Sequence, residues 1–171
     1  MSVVFTIGYE STDIEDFVAT LQAARIEVLA DVRAVAASRK KGFSKTALRE
    51  KLQEAGIQYL HFRNLGDPKP GRDAARAGQF EKFKTIYSAH FEKPEAQEDF
   101  ENLVSVVFNQ ATCLLCYERL PENCHRAIVA ENMRQFDLGV FDLYPDDPTR
   151  YVRNAAKLPR HHPRQSPAAA E

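Results

Sequence analysis

The sequence predicts an α/β fold: a single domain built on a largely parallel sheet with helices on both faces. Short β-rich apolar runs alternate along the chain with stretches of helical periodicity. One helix-to-strand unit also recurs. LQAARIEVL (21–29) and LQEAGIQYL (52–60) share Leu-Gln, a following Ala, Ile and a final Leu at the same offsets. With no third copy, the echo marks repeated αβ construction and not a solenoid. A chain of 171 residues, 44% hydrophobic, is long enough to bury one core without staples.

VVFTIGY (3–9) is the first strand. Thr12 and Glu15 have capping-box spacing, and Ile14, Phe17, Val18 and Leu21 fall on one helical face. EVLADVR (27–33) is the second strand. Ser44 is placed to cap a helix carrying Leu48, Leu52 and Ala55, which ends at Gly56 before a third strand, IQYLHF (57–62). Residues 64–78, NLGDPKPGRDAARAG, are rich in Gly, Pro and charge and read as a long loop. Phe80, Phe83 and Tyr87 mark one helix; Phe100, Leu103, Val104 and Val107 mark the next. TCLLCY (112–117) is a fourth strand, CHRAIVAENMRQF (124–136) a helix, and GVFDLY (139–144) a last strand. The domain is expected over residues 1–158, with 159–171 too poor in apolar side chains to pack.

Several function classes drop out on composition. No basic n-region and apolar h-region opens the chain, and no apolar run approaches a membrane span. Three cysteines fit reduced thiols better than a disulfide framework, so a soluble, cytoplasmic protein is expected. A net charge of −1 argues against a general nucleic-acid coat. Locally the balance differs: Arg33, Arg39, Lys40, Lys41, Lys45, Arg49 and Lys51 lie close together with Glu50 as the only acid among them. That asymmetry suggests an anionic ligand.

In a parallel sheet, ligands bind beyond the carboxyl ends of the strands. There the sequence places Tyr9-Glu10, Asp31 with Arg33, His61 with Arg63, and Cys116 with Glu118. Cys113-x-x-Cys116 has a zinc-knuckle spacing, but residues three apart on a strand face opposite sides, so Cys113 is expected in the core. Cys116, Cys124 and His125 could still converge. Their spacing matches no common zinc pattern, however, and neither metal nor cofactor is expected. A helix opening at Cys124 would set that sulfur near unpaired N–H groups, with Arg126 in the first turn, conditions that favour a thiolate and bind anions. Against this stands a plainer reading in which Cys124 merely caps and Arg126 is a surface residue. Asp31 is open between a general base and an ion pair with Arg33 or Arg126.

FTIGYES, LADVR, SRKKGFSK, GIQYLHFRNLG and CYERLPENCHR, in this order, resemble the DUF488 family over residues 5 to about 130. The resemblance implies that Asp31, Arg33, Ser38, Arg39, Cys116, Glu118, Cys124, His125 and Arg126 are the signature polar positions. Many members carry Gly-His-Ser where this chain has Gly8-Tyr9-Glu10, and often a second Gly where it has Asp67.

The expectation is therefore an enzyme, a thiol-dependent hydrolase or transferase, acting on an anionic small molecule or nucleotide. Cys116, Glu118, Cys124 and Asp31 are its candidate catalytic groups; Arg33, Ser38, Arg39, His125, Arg126 and Tyr9 are its candidate binding groups. The alternative is a non-catalytic module for nucleotide or nucleic acid with structural cysteines. No membrane partner is expected.

Overall fold

A computed structural model describes residues 2–163. Its strands are β1 (Val3–Gly8), β2 (Val28–Asp31), β3 (Gln58–His61), β4 (Thr112–Cys116) and β5 (Gly139–Leu143), and the helices are α1 (Ile14–Ala23), α2 (Lys45–Glu54), α3 (Lys69–Arg76), α4 (Phe80–Phe91), α5 (Pro94–Asn109), α6 (His125–Asn132) and α7 (Thr149–Arg153). The five strands form one sheet in the order β3-β2-β4-β1-β5, and every pairing is parallel.

Strand alternation sorts the core into two layers. Phe5, Ile7, Leu29, Tyr59, Cys113 and Leu115 face α1 and α2, where they meet Phe17, Leu21, Leu48 and Leu52. Val4, Ala30 and Leu114 face the other way, onto Phe83, Tyr87, Phe100, Leu103, Val107 and Val129. Cys113 is thus a core thiol, and Cys116 points to the opposite face of the same strand. No helix among the described residues is long and apolar enough to cross a membrane.

The sequence echo has a physical cause. Both α1 and α2 end in the same reversal, with Arg25 (φ 55°) and Gly56 (φ 73°) in left-handed backbone. Ile26 N–H donates to Leu21 O and Arg25 N–H to Gln22 O; Ile57 N–H donates to Leu52 O and Gly56 N–H to Gln53 O. These are paired Schellman motifs, which turn each helix directly into the next strand. Arg25 adopts at some cost a conformation that Gly56 adopts freely.

Local boundaries depart from expectation in four places. Asp13, not Thr12, caps α1: its carboxylate accepts from Asp16 N–H, while the Thr12 hydroxyl donates to Pro145 O. The helix expected over 124–136 is α only through Asn132 and tightens to a 3₁₀ turn at Met133–Phe136. The segment 64–78 is not a loop. A 3₁₀ turn (Arg63–Leu65) leads into α3, where Pro70 sits in the first turn and Lys69 pairs with Asp73 at i,i+4. Gly71 makes room for the Asp67 carboxylate: a Cβ there would lie 2.1 Å from Asp67 Oδ1. Finally, Ser2 Oγ donates to His162 O and His161 is half-buried, so the start of the segment expected not to pack lies against the N-terminal end of the chain. The rest of that expectation, residues 164–171, falls outside the described residues.

Candidate functional site

With all strands parallel, Gly8, Asp31, His61, Cys116 and Leu143 end on one rim. Beyond β1, β2 and β4 opens a cavity of about 630 Å³. Six residues expected at the site line it: Tyr9, Arg33, Cys116, Glu118, Cys124 and His125. The other four do not. Asp31 lies beneath the floor, Arg126 is buried behind it, and Ser38 and Arg39 sit on a loop outside the lining.

Asp31 is fully buried and fully bonded. It accepts from Arg33 N–H (3.0 Å), Arg33 Nε (2.9 Å), Arg33 Nη2 (2.7 Å) and the Tyr59 hydroxyl. Arg33 Nη1 continues to the Tyr9 hydroxyl and Phe43 O. Of the two roles open in sequence, the ion pair is the one formed, and its partner is Arg33. Ser38 Oγ accepts from Lys40 N–H, and Lys40 Nζ holds the carbonyls of Tyr9 and Glu10. The basic loop therefore ties down the loop after β1.

Arg126 is not a surface residue; it is 0% exposed. Its side chain donates to Thr6 Oγ1 (3.3 Å), Glu118 O and Arg119 O (3.1 Å), all uncharged acceptors. It clamps the loop after β4 onto β1. Gly8 permits the same approach, since a Cβ there would sit 1.8 Å from Glu118 O.

This clamp sets Glu118 over the sulfurs. Cys116 Sγ donates to Glu118 Oε2 at 3.3 Å. Cys124 is the N-cap of α6, and its Sγ accepts from Arg126 N–H at 3.5 Å. His125 Nε2 lies 2.7 Å from Val32 O, and because a carbonyl only accepts, Nε2 carries the proton. Its Nδ1 is thereby turned to both sulfurs, 3.8 Å from Cys116 and 3.9 Å from Cys124.

The electrostatics separate the two thiols. Burial raises Cys116 well above the ordinary thiol range, and the neighbouring Cys124 charge adds to this. Burial would raise Cys124 too, but the neighbouring Cys116, the charge and hydrogen bond of His125, and the Arg126 charge outweigh it and hold Cys124 well below that range. His125 is held protonated to about 9: burial opposes this, but Cys124 and the Val32 carbonyl prevail. Burial and the Cys124 charge push Glu118 up to about 7. The site thus combines a thiolate–imidazolium pair with a carboxyl that exchanges its proton near neutrality.

Three charged residues of the cavity were not anticipated: Asp67, Arg72 and Arg76. Arg72 Nη1 donates to Asp67 O, and Arg76 is exposed at the mouth. Reading 64–78 as a loop hid them. The i,i+4 spacing of Arg72 and Arg76 was the available signal, since it sets both on one helical face. Ala34, Val35, Phe80, Phe83 and Leu120 supply an apolar wall.

Asp67 yields a pH prediction. It is 6% exposed, Oδ1 has no hydrogen-bond partner, and burial raises its pKa from 3.8 to about 6 against the opposing charges of His125 and Arg72. The folded state therefore binds more protons than the unfolded state between these values, and this group's contribution to stability falls as pH rises through that window. Asp67→Asn should leave stability unchanged near pH 4 and raise it above pH 6 by on the order of 2 kcal/mol. Urea denaturation at the two pH values checks this.

A family model for a domain of unknown function, DUF488, matches residues 13–133. The chain belongs to the DUF488 family. Comparisons with curated proteins and with solved structures find no match. The DUF488 match spans β2, β4 and the whole of α6, and so takes in Asp31, Arg33, Cys116, Glu118, Cys124, His125 and Arg126; Tyr9 lies before it. Within this DUF488 chain, Cys116, Cys124 and His125 also form a soft donor set, their ligand atoms all within 4.8 Å of one another. The sequence left that convergence open although its spacing matches no common zinc pattern; the loop and 3₁₀ turn between Cys116 and Cys124 bring it about by folding the chain back on itself.

Proposed function

We propose that this protein is an enzyme acting on an anionic, phosphate- or nucleotide-containing substrate, with Cys124 as its reactive thiol. One observation carries the reading: Cys124 Sγ caps a helix at the floor of a large cavity, beside a His125 Nδ1 whose ring is fixed by Val32 O. A buried cysteine that only packs needs no such neighbour.

Arg72 and Arg76 supply positive charge at one side of the cavity, and the apolar wall suits a ring such as a base. The Cys124 thiolate attacks an electrophilic centre of the substrate, forming a bond from sulfur as the bond to the leaving group breaks. His125 Nδ1–H gives its proton to that leaving group. The Glu118 carboxylate then takes a proton from water, or from an acceptor hydroxyl, which attacks the covalent intermediate and releases the thiolate. Water makes the enzyme a hydrolase; another acceptor makes it a transferase. Asp31 takes no part beyond holding Arg33.

Alkylation of Cys124 by iodoacetamide, followed by peptide mass spectrometry, tests the anion side of this reading. Inorganic phosphate or nucleotides should slow labelling of Cys124 several-fold, and Arg72→Ala with Arg76→Ala should abolish the protection. Labelling indifferent to every anion would refute an anionic substrate. Sluggish labelling at all three cysteines would instead favour a binding module with structural thiols.

A further inference from the structure

We infer that Cys116, Cys124 and His125 form a binding site for a soft divalent cation, best suited to Zn²⁺, with a fourth coordination position open to the cavity. The inference shares its side chains with the thiol reading but does not depend on that reaction.

The geometry is close to what such an ion needs. Zinc holds sulfur at about 2.3 Å and nitrogen at about 2.1 Å, which in a tetrahedron sets ligand atoms roughly 3.6–3.8 Å apart. His125 Nδ1 already stands 3.8 Å from one sulfur and 3.9 Å from the other, and all three ligand atoms fall within 4.8 Å. The two nitrogen–sulfur distances need only a small contraction, and the two sulfurs, within 4.8 Å of each other, must close by at most about 1 Å.

The surroundings complete the case. A metal-binding histidine characteristically donates its other ring N–H to a carbonyl or carboxylate, which fixes its orientation and raises its basicity. His125 Nε2 makes that bond to Val32 O. The ligands come from a strand end and a helix start on rigid elements, and their residues are only 2–5% exposed. All three line the cavity, so the fourth position faces it. Glu118 Oε2, 3.3 Å from Cys116 Sγ, stands beside that position as a fourth ligand or as a base toward a bound water. Two thiolates and an imidazole select zinc over magnesium or calcium, which prefer oxygen.

Binding puts the metal in place of the protons on Cys116 Sγ and His125 Nδ1 and engages the Cys124 thiolate as well. In this state Cys124 is no longer free to attack. The metal-bound form is therefore a reversible off state of the thiol.

The test uses chelator-stripped full-length protein. Zn²⁺ is titrated against a chromophoric chelator, and Co²⁺ is used as a spectroscopic probe. The inference predicts a single equivalent bound at sub-micromolar Kd, with a thiolate-to-cobalt charge-transfer band and tetrahedral d–d bands. Cys116→Ser and His125→Gln should each weaken binding at least tenfold, whereas Cys113→Ala, on the opposite face of β4, should not. Circular dichroism confirms that each variant is folded, and either ligand variant suffices. Weak binding, binding insensitive to both ligand variants, or an octahedral cobalt spectrum without the thiolate band would overturn it.

Alkylation separates this inference from the enzyme reading. Zn²⁺ should block Cys124 labelling and chelator should restore it. Reactive Cys124 without zinc binding sinks the metal site alone. Tight zinc binding with a sluggish thiol in the stripped protein sinks the thiol reading alone.

Discussion

Asp31→Ala should unfold at much lower urea than the parent, with a loss of about 3–5 kcal/mol, the usual result of removing one partner from a buried ion pair. Arg33, 5% exposed, would keep its charge without a counter-ion, and the Tyr59 hydroxyl would lose its acceptor. The double variant Asp31→Leu, Arg33→Met should recover a substantial part of that loss, because an apolar pair of similar volume replaces two desolvated charges. Residual cost would remain from Phe43 O and the Tyr9 hydroxyl, which Arg33 Nη1 contacts. A catalytic Asp31 would give the opposite pattern, with stability nearly intact and reactivity lost.

The largest effect on reactivity is expected at His125. His125→Gln retains a side-chain amide able to donate toward Val32 O but removes the imidazolium facing Cys124. Without that charge, only Cys116 and the Arg126 charge still oppose the effect of burial, and the Cys124 pKa rises. The pH at which Cys124 labels should then move upward, and labelling at a given pH should fall by about tenfold for each unit by which the pKa exceeds that pH, since the thiolate is the reacting form. Cys116, already held high by burial, should change little. Identical pH profiles of Cys124 labelling in the variant and the parent would mean that His125 does not hold the thiolate.

How much of this could be read from the chain divides along physical lines. The sheet was legible because buried parallel strands are short runs of β-branched and apolar residues. The two Schellman turns even repeat their residues, Leu21 to Ile26 and Leu52 to Ile57, since the same reversal demands the same hydrogen bonds. The rim was legible for a topological reason: in a parallel sheet, residues after each strand share one edge, so Tyr9, Arg33, Cys116 and Glu118 could be grouped before any coordinates.

Other features depend on information that is not local. Helix α3 was hidden because Gly71 and Pro70 read as breakers, although Pro is tolerated in a first turn and Gly71 makes room for the Asp67 carboxylate. With α3 went Arg72 and Arg76, the cations best placed in the cavity. The basic loop was visible as charge, but charge alone does not say where an ammonium points. Lys40 turns back to Tyr9 O and Glu10 O and is structural. Arg126 shows the same limit from the other side. Nothing in Cys-His-Arg reveals that the guanidinium is fully buried and holds two carbonyls of the preceding loop.

That Cys124 is an activated thiolate at neutral pH, paired with His125, is what the proposed chemistry depends on. It is tested most directly by the pH dependence of iodoacetamide alkylation at each cysteine in metal-stripped protein, resolved by peptide mass spectrometry. Cys124 should titrate well below the ordinary ~8.5 of a free thiol, while Cys113 and Cys116 should react only far above it. A Cys124 profile at or above ~8.5 would contradict the account and leave Cys124 as a buried structural cap.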